Sequence, residues 1–181
     1  MKILGVDPGT VVTGYGVIES RLDRSGRNVP SCLAAGQISG GRAQSMPVRL
    51  RTIFESLTAL IHEFQPDAVA VEEPFVDKNI QTALKLGQAE GVILVAAQLA
   101  GVPVTVYSPA TIKLALTGFG RAEKLQVGYM VTRLLRLKEP LTSHHATDAL
   151  AVAVCHLHSA ALLEVRNRRR PAASSTAVPL S

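Results

Sequence analysis

Short apolar runs closed by Gly or Pro alternate along this chain with longer stretches of helical period. Residues 2–6, 15–18 and 32–38 are apolar or β-branched runs of strand length, and residues 67–73 are a nearly continuous Val and Ala run ending in acid. Between the last two, Leu50, Ile53, Phe54, Leu57, Leu60, Ile61 and Phe64 repeat at helical spacing, with Ser45 as cap, Pro47 in the first turn and Pro66 as the stop. Asn79 caps a second helix running to about residue 100, rich in Ala83, Gly87, Ala89, Gly91, Ala96 and Ala97, so another backbone can approach it. Residues 102–107 read as a fifth strand, edge-like because of Pro103. Ser108-Pro109 opens a short helix, a Gly-broken basic loop over 117–124 leads into a helix through 137, and Thr142 or Ser143 caps the last helix. Three strands, helix, strand, helix, strand, helices predict an α/β fold. An antiparallel meander followed by right-handed crossovers gives a mixed five-stranded sheet with helices on both faces.

Composition narrows this picture. With 181 residues the chain makes one domain, and with 47% hydrophobic but 4% aromatic residues and no Trp its core is Val, Leu, Ile and Ala. The net charge is +5, of which Arg166, Arg168, Arg169 and Arg170 supply four, so any polyanion must be met by local patches. The expected division is a folded domain over 1–164 and a basic, disordered tail over 165–181. Cys32 and Cys155 form no C-x-x-C pair, which argues against a zinc site or a disulfide framework. No run approaches the ~18 apolar residues that cross a bilayer, and the residues before Asp7 are too few for a signal segment. The expectation is a cytoplasmic protein with no membrane partner.

Candidate chemistry lies where buried elements end. Asp7 follows the first strand, next to Pro8-Gly9 and Gly-rich backbone able to approach a ligand, while Glu72 and Glu73 follow the fourth. Asp148 lies in the first turns of the last helix, beside His144 and His145. With strands one and four adjacent, Asp7 and one of the two Glu residues share an edge, and alternation alone leaves open which. Asp148 reaches them if its helix lies across that edge, or else it serves only the helix dipole. Converging carboxylates repel unless a cation neutralises them, and hard oxygen ligands select magnesium or manganese. Two such ions would suit phosphodiester hydrolysis. His156 and His158, on the apolar part of the helix, read as structural or surface residues.

Gly5-Val-Asp-Pro-Gly-Thr10 with Thr13-Gly-Tyr-Gly-Val17 resembles the opening of the RuvC family of bacterial Holliday-junction resolvases. So do Val71-Glu72, Phe75, Lys78-Asn79, Ala83-Leu-Lys-Leu-Gly-Gln-Ala89, Gly120 with Ala122-Glu-Lys124, and Asp148-Ala-Leu-Ala151, in order and spacing over roughly residues 1–160. The resemblance implies an RNase H-like fold and a homodimer that nicks like-polarity strands symmetrically across four-way junction DNA. It places the family's acids on Asp7, Glu72 and Asp148. A further acid frequent three residues before the last is His145 here, an imidazole that could ligate or pass a proton and should favour manganese over magnesium.

The resemblance also points to Lys113 and Lys124 as DNA contacts, with Lys78, Lys85 and Arg121 as further phosphate-facing cations. Phe75 would stack on an unpaired base at the junction centre, or else fill the core. The Ala- and Gly-rich helix would serve the dimer or pack on its own sheet. The basic tail would touch DNA, meet the RuvA–RuvB branch-migration machinery, or only solubilise. Three rivals are weighed against this reading. An actin-like sugar kinase needs a second phosphate loop that 181 residues do not contain. A ribosomal-RNA-trimming relative shares the Asp-Pro-Gly start but is shorter, and a non-enzymatic junction binder would have no need of three retained acids.

Overall fold

The computed structural model describes residues 1–24, 27–74 and 79–168, with side chains to residue 161. Its elements run β1 (Lys2–Asp7), β2 (Val12–Leu22), β3 (Asn28–Ser39), α1 (Met46–Phe64), β4 (Ala68–Glu72), α2 (Ile80–Leu99), β5 (Val104–Tyr107), α3 (Pro109–Thr117), α4 (Lys124–Leu134) and α5 (His144–Arg168). The five strands form one sheet in the order β3-β2-β1-β4-β5. Strands β1, β2 and β3 are an antiparallel meander, while β4 and β5 join β1 in parallel. The mixed sheet is therefore the one expected, and β5 lies at its edge.

Alternation along the central strands divides the core in two. Leu4, Val6, Val17, Val69 and Val71 face α1 and α2, meeting Ile53, Leu57, Ile61 and Ile93. Ile3, Ile18 and Ala70 face the other way, onto Leu150, Val152 and Val154 of α5 and onto side chains of α3 and α4. Every one of these apolar side chains is buried, which is the main stabilising term of the fold.

The seat of α5 is set by glycines in the strands beneath it. A Cβ on Gly5 would lie 2.0 Å from the Ala149 carbonyl oxygen, and one on Gly14 would lie 2.0 Å from that of His145. On Gly16 it would meet the Leu150 side chain at 2.6 Å. The helix thus rests on bare strand backbone, closer than any side chain would permit.

Element ends differ in places from the periodicity. Strand β3 begins at Asn28, before Cys32, because its first residues pair with the polar end of β2 while carrying no apolar signal. Ser45 occupies the α1 cap position, but its backbone oxygen rather than its side chain is engaged, accepting from the Arg49 amide at 3.1 Å. Helix α4 stops at Leu134, short of residue 137, because Arg136 turns left-handed at φ 52° and the Leu137 amide bonds back to the Thr132 carbonyl at 3.0 Å. The Asn79 cap forms as read, its Oδ1 accepting from the Thr82 amide at 3.1 Å. For α5 the cap is Ser143, whose Oγ accepts from the Ala146 amide at 3.1 Å. That helix continues to Arg168, past the division placed at 164, and residues 169–181 of the basic tail lie outside the described residues. Both cysteines are free thiols. Among the described residues, no helix is long and apolar enough to cross a membrane.

Candidate active site

Asp7 and Glu72 end neighbouring parallel strands, since the β1–β4 register pairs Val6 with Val71. Both carboxylates leave the sheet at the same end. The chain leaves β1 through a tight turn that needs Gly9: a Cβ there would lie 2.0 Å from the Val12 carbonyl oxygen. Buried Thr13 closes the turn, its hydroxyl donating to the Gly9 carbonyl at 2.6 Å. The glycines near Asp7 thus admit their own chain, the turn at Gly9 and α5 at Gly14. This corrects the expectation that bare backbone here faces a ligand, because the open side of each glycine is already filled.

Helix α5 brings the remaining groups. Gly14 lies opposite Asp7 in the β1–β2 register and directly beneath the His145 backbone. Gln37 of β3 hydrogen-bonds the Ser143 cap and ties the start of the helix to the sheet. His145 Nδ1 consequently sits 2.7 Å from Asp7 Oδ2. Asp148, one helical turn on, pairs with the Lys124 ammonium of α4 at 2.6 Å. Lys113 is close enough to Glu72 to favour its ionised form.

The electrostatics show how crowded this edge is. Burial foremost, then repulsion from Asp7 and Asp148, pushes the Glu72 carboxyl up to about 7, with Lys124 and Lys113 opposing the shift. Burial also raises Asp7, against the hydrogen bond from His145. A cleft of about 610 Å³ opens beside these groups, lined by Glu72, Lys113, Gly120, Lys124 and Asp148 among others. Glu73 points away, exposed, toward Glu90 of α2, so the two adjacent glutamates take opposite faces.

This donor set suits a divalent cation. Asp7 and Asp148 repel the charged form of Glu72, and a cation between the carboxylates would relieve that repulsion. Among the described residues, no three His, Cys, Asp or Glu side chains already converge as a ready cage. Asp148 is turned onto Lys124, a partner that a metal would replace, while Asp7 holds His145.

A model of the family described as "Crossover junction endodeoxyribonuclease RuvC" matches residues 3–156. The chain belongs to the RuvC family. A crossover junction endodeoxyribonuclease of Syntrophomonas wolfei is 46% identical over 159 residues, covering 88% of this chain and 90% of the relative. The solved structure of Thermus thermophilus RuvC superposes with a TM-score of 0.82 at 37% identity, covering 90% of this chain and 96% of that one. The same organism's RuvC in complex with Holliday junction substrate superposes at 0.80 with 34% identity over the same shares. The fold is RNase H-like. RuvC-family nucleases hydrolyse phosphodiester bonds with the help of metal.

Of the residues singled out from sequence, the structure gathers Asp7, Glu72, His145, Asp148, Lys113 and Lys124 at one sheet edge. Arg121 is exposed in the turn before α4, next to Gly120 of the cleft wall. Lys85 stands exposed on α2 and does not line the cleft. Phe75 and Lys78 lie outside the described residues. His156 and His158 are structural: His156 Nδ1 meets the Tyr107 hydroxyl at 3.0 Å, and His158 Nδ1 lies 3.1 Å from the Ala115 carbonyl oxygen.

Sequence reasoning missed the parts that Gly14 and Gln37 play in placing the acids, and it missed the direct bond from Lys124 to Asp148. The repeated Gly5, Gly14 and Gly16 inside strand runs was the available signal, since glycine in a strand marks close backbone approach.

Proposed function

We propose that this chain is a metal-dependent endonuclease that resolves four-way DNA junctions by paired, symmetric nicks in recombination and repair. The observation that carries the reading is the Asp7, Glu72 and Asp148 edge, where burial and then the neighbouring acids push Glu72 up to about 7. Asp7, Glu72 and Asp148 are the proposed ligands of magnesium or manganese, two ions per site. When bound, these ions supply Lewis acidity at the scissile phosphate and acidify water for attack.

The protein's own groups do the rest. Lys124 and Lys113 neutralise the acids in the free protein and then face the phosphate of the bound strand. His145, oriented through Nδ1 by Asp7, keeps Nε2 free to ligate or to move a proton. The products are a 5′-phosphate and a 3′-hydroxyl, ends that a ligase seals. Arg121, Lys78 and Lys85 add phosphate contacts that make binding fall with salt, and Phe75 stacks on a base at the junction centre.

A junction has two strands to cut, so the active species is a homodimer. Helix α2 fits that role, exposing Ile80, Leu84, Val95 and Leu99 along one side, and among the described residues nothing lies near the Cβ positions of Gly87 and Gly91. The protein works in the cytoplasm, beside RuvA–RuvB.

Cleavage of a mobile synthetic junction, with each metal titrated, beside linear duplex and single strand, tests the reading. Paired nicks on the junction alone, abolished in Asp7→Asn while binding persists, are expected. Tight binding with no cutting in either metal would make this a binding protein. In the same assay His145→Asp should lose the preference for manganese, and an unchanged metal ratio would remove His145 from the metal's surroundings.

A further inference from the structure

Tyr107 and His156 do not line the catalytic cleft, yet they join the elements that build it. The Tyr107 hydroxyl meets His156 Nδ1 at 3.0 Å, and the two rings pack edge to face, their centroids 5.8 Å apart at 82°. Tyr107 is the last residue of β5, and His156 lies about two turns along α5 from Asp148.

Both sides of this pair lead to the acids. In the β4–β5 register Tyr107 is the partner of Glu72, and its carbonyl accepts from the Glu73 amide at 2.8 Å. Ala70 and Tyr107 belong to the core on the α5 side of the sheet. Alternation puts Glu72 on that side with Ala70, so Tyr107 and Glu72 are neighbours on one face. Directly after Tyr107, Ser108 caps α3, its Oγ accepting from the Thr111 amide at 3.3 Å. Ser108, Ile112 and Lys113 then form a wall of the cleft. Further along α3, the Ala115 carbonyl accepts a second bond from α5, donated by His158 Nδ1 at 3.1 Å. Lys113 is therefore bracketed between two ties to the helix that carries Asp148. A hydrogen bond between half-buried side chains adds little net stability, but it fixes distance and direction.

We propose that Tyr107 and His156 are positioning residues, whose bond sets the Glu72 carboxylate and the Lys113 wall at a fixed spacing from Asp148. The pair rests on the junction-nuclease reading and deepens it, holding together acids that stand on separate elements.

The test compares Tyr107→Phe, which removes one oxygen and keeps the ring, with His156→Ala, His156→Asn and the Tyr107→Phe, His156→Ala double variant. An Asn side chain can bring a polar atom near the place of Nδ1. In full-length protein well below its melting point, junction cleavage in single turnover at saturating protein should fall about tenfold in Tyr107→Phe and in His156→Ala. Manganese affinity of the metal-free protein, read by calorimetry, should fall by a similar factor. His156→Asn should recover most of both. The double variant should be no worse than either single one, because one bond is lost only once. Should His156→Ala fail to fold, Tyr107→Phe decides by the same two readouts. Parental cleavage and manganese affinity in Tyr107→Phe, with only a lower melting temperature, would overturn the proposal and leave the pair a packing contact. Losses that add up in the double variant would overturn it too. A parent that binds manganese but cuts no junction would defeat the nuclease reading, while the manganese titrations would still decide whether the pair places the acids.

Discussion

Helices α5 and α2 are both rich in small residues, yet they use them in opposite ways. Helix α5 lies on glycines that belong to other elements, and its alanines fill the gap so closely that Gly14 touches the His145 backbone. Helix α2 carries its own glycines, and Gly87 and Gly91 look onto open space. Small residues permit close approach, but whether the approach is made within the chain depends on what lies opposite. At α5 the partner is β1 and β2, and the result is a rigid active-site edge. At α2 the outer side stays open, the side that the proposed dimer would cover.

The largest effect should come from filling the α5 contact. Gly14→Ala puts a Cβ where the His145 carbonyl stands, forcing the helix start away from Asp7. The expected cost is about 3 kcal/mol of stability, as for severe overpacking. Cleavage should drop roughly a hundredfold, because misplacement of about 1 Å suffices for such a loss. Thermal melts and single-turnover rates check both, and near-parental values would mean that α5 is not fixed by this contact.

On α2, Leu84→Glu with Leu99→Glu should make the proposed dimer dissociate about a hundredfold more readily, roughly 2.7 kcal/mol, while the monomer keeps its fold. Sedimentation at graded concentrations reads this. A variant as dimeric as its parent would assign the outer side of α2 to something else.

A third effect concerns the acids that α5 closes over. In metal-free protein the Glu72 carboxyl titrates near 7, against 4.5 as its ordinary value. Between those values the folded chain holds a proton that the unfolded chain has lost. Stability from this group is therefore full below pH 4.5, declines up to about 7 and is flat beyond. Glu72→Gln should stabilise the metal-free protein at pH 8 by about 1–2 kcal/mol after solvent screening, read as a higher melting temperature, and hardly at pH 4.5. Metal must displace the same proton, so manganese affinity of the parent should tighten from pH 6 to pH 8. Equal effects of the substitution at both pH values would show that the repulsion is not there.

The smallest effect should be Gly87→Ala in the monomeric α2 variant. With no neighbour to meet, it should gain about 0.5–1 kcal/mol from helix propensity in a denaturant titration. A loss would reveal a contact within the chain.

Much of this was legible along the chain. The succession of strands and helices and the Asn79 cap follow from apolar period and capping chemistry, which are local. Family motifs singled out Glu72 over Glu73, and the structure turns Glu72 to the crowded edge and Glu73 outward. The first four residues of β3 and the early end of α4 were not legible. One is paired only through its backbone, and the other is ended by a left-handed arginine.

The sequence by itself determined which residues could do the chemistry and which elements carry them, because periodicity, caps and acids at strand ends are properties of neighbouring residues. Only the tertiary structure decided how the acids stand. Asp148 is clasped by Lys124, Asp7 by His145, and Glu72 is left to hold its proton. Those relations join residues up to 138 positions apart. They depend on how closely α5 can descend onto strand glycines, a matter of van der Waals contact that no local pattern states.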